Sequence, residues 1–138
     1  AYDAQGPNNS ITLGEAASTL AVGEAFRVIQ RGGADVFIAG GTDSKIHPLS
    51  IVRMALLGRL TKRCQKPEEA IRPFDRERDG IVPGEGSASL ILEEASFARR
   101  RGAKIAGEVL GFASYCSPKD AVGSIQQVAQ RALADAGI

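Results

Sequence analysis

The sequence predicts an α/β protein built in layers, and three observations predict it. Apolar runs of strand length alternate with segments of helical periodicity along the 138-residue chain. The helix expected from roughly Ala16 to Arg31 carries Ala17, Leu20, Ala21, Val22, Ala25, Phe26, Val28 and Ile29. These cover most of its circumference rather than one stripe. Behind it, "ADVFIAGG" is continuously apolar and bounded by glycines, the pattern of a strand covered on both faces. A helix apolar on several sides belongs in a central layer with sheets above and below.

Taken in order, Ser10 to Leu13 reads as a short strand, and a tight turn at Gly14-Glu15 leads into the apolar helix. Gly32-Gly33 closes that helix by allowing a left-handed cap. From Pro48 to about Leu60 the pattern is helical again. "TKRCQKPEEAIRPFDRERDG" is a long polar connection with two prolines. "GSASLILEEA" is a strand running into the short helix "SFARRRGA", and "KIAGEVLGFASY" is a further strand. After Pro118, Val122, Ile125, Val128, Ala129, Ala132, Leu133 and Ala136 fall on one face of a closing helix. The strands near 36–39, 87–92 and 105–112 are expected to share one sheet.

At 43% hydrophobic and 24% charged residues, one domain with a real core is expected. No apolar stretch is long enough for a membrane span. A net charge of +1 supplies no field for nucleic acid, and 5% aromatics with no Trp supply no base-stacking surface. Cys64 and Cys116 match no metal or redox spacing, so reduced thiols in a cytoplasmic protein are expected, with no metal and no cofactor. Both ends read as cuts in a longer chain.

A strand that turns sharply into a buried helix is where many enzymes mount a nucleophile. Glu15 occupies that turn. Its structural reading is a capping box, Thr12-Leu-Gly-Glu15, in which the glutamate returns to the cap's own N–H. "GEGSAS" lacks the lysine of a phosphate-binding loop and reads as tight backbone packing. His47 is the only histidine and forms no dyad. Arg99-Arg100-Arg101 with Lys104 reads as a solvated helix end, and "RPFDRERDG" as a salt-bridged connection around a buried Phe74. On residues alone there is an elbow but no complete site.

The order of motifs is more specific than any one of them. "GPNNSI", the strand–elbow–helix, "GGADVFIAGGTD", "RPFDRERDGIVPGEGSASLILEEASFARRRGAKIAGEVLGF" and the closing "DAGI" together resemble the elongating β-ketoacyl-acyl carrier protein synthases. The resemblance covers essentially the whole chain, as the middle third of a family member. It implies a thiolase-like layered fold: residues up to about 115 would be the latter part of the first half, and about 118–138 the start of the second. It also implies pairing through the strand around Ser10 to Leu13, and an acyl carrier protein as partner. The family's elbow reads Thr-Ala-Cys, and the cysteine position falls on Glu15. The two catalytic histidines belong to later family segments, and His47 matches neither. Met54 falls where a phenylalanine often gates the acyl pocket. Arg53, Arg59, Lys62 and Arg63 form a basic patch suited to an acidic carrier protein.

Three functions compete. The first is a catalytically degenerate partner subunit of fatty-acid or polyketide synthesis, acting like a chain-length factor in a homodimer or paired with an active ketosynthase. The second is a true condensing acyltransferase seen in part, with an altered elbow. The third is a stand-alone α/β binding module. Family relatives with glutamine at the elbow decarboxylate a malonyl group. The negative charge of Glu15 would repel that carboxylate, which favours the non-catalytic role.

Overall fold

The computed structural model describes residues 4–118 and 120–138. Its elements run, in order, α1 (Ala17–Gln30), β1 (Val36–Ser44), α2 (Pro48–Leu56), β2 (Glu85–Glu93), α3 (Ala95–Arg100) and α4 (Ala121–Ala136). Single 3-10 turns stand at Gly14–Ala16 and Pro67–Glu69. The mixed helix–strand class matches the expectation. Two compact units form: the segment up to Gly41 with Ala88–Ile138, and Thr42–Ser87.

In the first unit, α1 is the centre. From Leu20 to Ile29 every residue is buried or half-buried, with Gly23, Ala25 and Val28 fully so. The multi-sided apolar pattern predicted this burial. The helix stops where Gly32 takes φ 72°, and the N–H groups of Arg31, Gly32 and Gly33 return to the carbonyls of Arg27, Ile29 and Val28. Small residues let the chain come close to it: Gly41 lies against Ser18, and the Phe112 ring lies against Gly23. β1 and β2 pair as a two-stranded sheet. Glu94 N–H bonds to the Asp35 carbonyl, and Gly40 lies against Ala88 and Ser89, so the strands run antiparallel.

Two predicted strands do not form. Ser10 to Leu13 is irregular and leads straight into the 3-10 turn. Residues 105–112 carry no strand assignment either, so the expected three-stranded sheet has two strands. A strand is defined by its ladder, and the 105–112 backbone has no neighbouring strand among the described residues with which to exchange hydrogen bonds. The predicted apolar face of α4 is also only partly covered. Val128, Ala132 and Ala136 are half-buried, whereas Val122, Ile125 and Leu133 are exposed.

In the second unit, α2 starts at Pro48, where His47 caps it by accepting from the Leu49 N–H. Met54 faces inward with Ala70, the two buried apolar residues of this unit. The polar connection is pinned at its ends by an isolated parallel bridge between Leu60 and Ile81. Within it the expected buried Phe74 is instead completely exposed.

Candidate functional site

The elbow is built from Leu13 to Ala17. Gly14 takes φ 43°, a left-handed value that glycine adopts without strain, and this turns the chain into the helix. The predicted capping box does not form. No side chain caps either the 3-10 turn or α1, and the N-cap positions are Leu13 and Ala16. The reason is geometric: a 3-10 turn is inserted before the helix, so Glu15 lies ahead of the first α-helical turn. Its exposed carboxylate makes no hydrogen bond or ion pair among the described residues. The N–H groups of the first helical turn are therefore left without a side-chain acceptor.

The other predicted site residues lie in the second unit. Met54 is 6% exposed on the inner face of α2. Arg53, Arg59 and Lys62 are exposed, and their side chains make no ion pair among the described residues. Arg63 differs from them. Its Nη2 donates to the Glu77 carbonyl at 3.0 Å, and its guanidinium lies 3.7 Å from Asp79. Asp79 is itself held by the Thr61 hydroxyl at 2.7 Å and the Lys62 N–H at 3.0 Å, which keep its carboxyl below the usual range. His47 serves as a helix cap. Cys64 and Cys116 are free and exposed.

Sequence reasoning missed a clamp behind the elbow helix. Arg27 Nη2 donates to Asp135 Oδ1 at 2.7 Å and to the Phe112 carbonyl at 3.0 Å. Asp135 Oδ2 accepts from the Phe112 N–H at 2.8 Å, closing a ring of bonds among α1, the 111–113 segment and α4. Arg27 first, then the Phe112 N–H, hold the Asp135 carboxyl below its ordinary value. Gly111 makes the approach possible, since a Cβ there would meet the Ala132 carbonyl at 2.6 Å. The clamp borders an open cleft of about 600 Å³ lined by Leu20, Glu24 and Arg131 among others. The closing "DAGI" contains Asp135, but no spacing rule links a residue at 27 to one at 135.

A glycine-turned elbow entering a covered, small-residue helix, with an antiparallel strand pair beside it, defines the class of protein: a thiolase-like ketosynthase fold, present in part. The chain belongs to the β-ketoacyl synthase family, whose N-terminal domain model matches residues 1–98. The 3-oxoacyl-[acyl-carrier-protein] synthase 2 of Synechocystis is 50% identical over 113 residues, 82% of this chain and 27% of that protein. Among solved structures, a type II polyketide synthase acyl-carrier protein in complex with its hexaketide-bound ketosynthase superposes with a TM-score of 0.83 at 38% identity. It covers 89% of this chain and 32% of that one. The ishigamide ketosynthase/chain length factor superposes at 0.74 with 30% identity, covering 88% and 30%. The chain thus spans about a quarter of the length of the curated relatives it matches.

Proposed function

We propose that this chain is a ketosynthase-family partner subunit of fatty-acid or polyketide synthesis that does not itself carry an acyl group. The observation that carries the reading is Glu15: the elbow architecture of a thioester-forming enzyme presents an exposed carboxylate where the family resemblance places a cysteine. A carboxylate is a poor acyl carrier in thioester exchange, and the one histidine of the sequence, His47, is engaged as the cap of α2. The helix N-terminus would instead activate a thiol placed there, because its free N–H groups and dipole favour an anion.

Several further assignments belong to the same reading. Residues to about 115 form the first-half segment and 118–138 open the second. Arg53, Arg59 and Lys62, with Arg63 at the edge, offer positive charge to an acyl carrier protein, and a relative solved with its acyl-carrier protein supports that partner. Met54 lines the acyl pocket of the assembled protein. Pairing with a second ketosynthase-family chain, in the cytoplasm, completes the reading. A ketosynthase/chain length factor among the relatives supports it.

The test is acyl loading. After incubation with an acyl-thioester, intact-mass measurement should find no adduct on Glu15 or Ser18. Loading of either residue in the unmodified protein would return the reading to a condensing enzyme. Glu15→Cys should gain a thiol that alkylates faster at neutral pH than exposed Cys64 or Cys116 in the same molecule.

A further inference from the structure

We propose that Asp79 is a positioning residue for carrier-protein recognition: it sets the chain that presents Arg59 and Lys62, and it engages Arg63 so that those two stay free of carboxylates. The inference rests on the carrier-protein reading above and adds to it a residue that the partner need not touch.

Of the basic patch, Arg59, Lys62 and Arg63 lie within five residues of chain. The first part of that segment is held by its main chain. The Arg59 N–H returns to the Met54 carbonyl at 2.9 Å where α2 ends, and the Arg59 carbonyl accepts from the Ile81 N–H at 2.9 Å. The Thr61 N–H donates to the Ile81 carbonyl at 3.1 Å. Gly80 lets the two stretches approach, since a Cβ there would meet the Leu60 carbonyl carbon at 2.5 Å.

Beyond Thr61 the Asp79 side chain takes over. One of its oxygens accepts from the Thr61 hydroxyl at 2.7 Å, and the other from the Lys62 N–H at 3.0 Å. The Thr61 hydroxyl oxygen in turn accepts from the Arg63 N–H at 3.2 Å. The Arg63 guanidinium folds back to the same carboxylate. Its Nε is cut off from solvent without a hydrogen-bond acceptor, and the Asp79 charge 3.7 Å away offsets that burial. Lys62 is treated in the opposite way: Asp79 takes its main-chain N–H, while its side chain is exposed and makes no ion pair among the described residues.

Two accounts of this acid inside a basic patch predict opposite signs. As a charge alone, Asp79 repels an acidic partner, and removing it should help binding. As a brace it pre-organises long cationic side chains that would otherwise lose freedom on docking, and removing it should harm binding. The pattern of bonds favours the brace, because both carboxylate oxygens are spent on the segment that carries the cations.

The experiment uses the full 138-residue chain and, as the probe, fluorescently labelled holo-acyl carrier protein from Synechocystis. Binding is followed by anisotropy over a series of salt concentrations, at a temperature where circular dichroism shows every variant folded. Asp79→Asn should bind about threefold more weakly or worse although the patch gains positive charge. Its affinity should also fall less steeply with salt, because fewer cations engage. Thr61→Val removes the hydroxyl at constant charge and should weaken binding in the same direction, while Thr61→Ser should keep the parent affinity. Partial misfolding would lower the amount of chain that binds and leave the salt dependence alone. Asp79→Asn binding as tightly as the parent, or with the parent's salt dependence, would overturn the proposal. Arg59→Ala and Lys62→Ala separate it from the reading beneath it. If the parent does not bind, or neither of these variants weakens binding, the carrier-protein reading fails and takes this one with it. If they weaken binding and Asp79→Asn does not, only the role of Asp79 fails.

Discussion

Glu94 ends one element and begins the next. Its N–H closes the strand ladder on the Asp35 carbonyl, while its carboxylate accepts from the Ser96 hydroxyl at 2.6 Å and the Phe97 N–H at 2.7 Å to cap α3. The Ser96 hydroxyl, then the Ser96 and Phe97 N–H groups, hold its carboxyl down at about 2 from an ordinary 4.5. A depressed carboxyl contributes stability that is complete above its unfolded value and is lost as pH falls through its folded one. Thermal unfolding midpoints should therefore be level from neutral pH to about 4.5 and fall from there toward 2. Asp135 and Asp79 are shifted the same way and add to the slope. Glu94→Gln should flatten part of that fall in circular-dichroism melts; an unchanged slope would remove Glu94 from the account. Glu15 makes no hydrogen bond or ion pair among the described residues, so Glu15→Gln should leave the unfolding midpoint at neutral pH unaltered.

At the scale of elements, α1 is placed by what it lacks. Gly23 admits the Phe112 ring, and the Arg27–Asp135–Phe112 ring of hydrogen bonds fixes the helix along its axis against α4. Gly23→Ala would set a methyl where the ring now lies and should cost about 1–3 kcal/mol, read as a lower denaturant midpoint. Gain of stability, as expected from helix propensity alone, would mean the ring moves aside freely. A different prediction attaches to α2, whose two sides differ. Met54 packs inward, while Leu49, Val52 and Leu56 point to solvent at 72%, 53% and 83% exposure. Met54→Ala should lose about 2–5 kcal/mol of stability, whereas Leu56→Ala should change it little. Equal effects of the two would mean that α2 sits differently in solution.

For the molecule as a whole, the fully covered apolar residues among those described are few and mostly small: Ala25, Val28, Ala39, Met54, Ala70 and Ala98. Large apolar side chains stay outside, including Ile38 and Ile91 at 70% and 67% exposure. In the antiparallel register these two fall opposite each other on one sheet face. A free surface of this kind drives association. Light scattering should find the isolated chain in oligomers at high concentration, with dissociation as it is diluted. A monomer at every concentration would contradict this expectation.

The sequence by itself determined the α/β class, the buried elbow helix with its glycine stop, the two strands that pair, and the family. Each of these is written in local periodicity, in punctuation by glycine and proline, or in an ordered series of motifs. Only the tertiary structure decided that the segments at 10–13 and 105–112 stay unpaired, because a strand needs a neighbour that local pattern does not supply. It decided that Glu15 caps nothing, because an inserted 3-10 turn shifts the frame in which a capping box is counted. It turned Phe74 outward, because the Arg72 and Asp75 bonds around it fix the loop more firmly than one aromatic can draw it in. The clamp joining positions 27, 112 and 135 was invisible for the plainest reason: charge pairing across so much chain depends on where the backbone goes, and single-sequence pattern is silent on that.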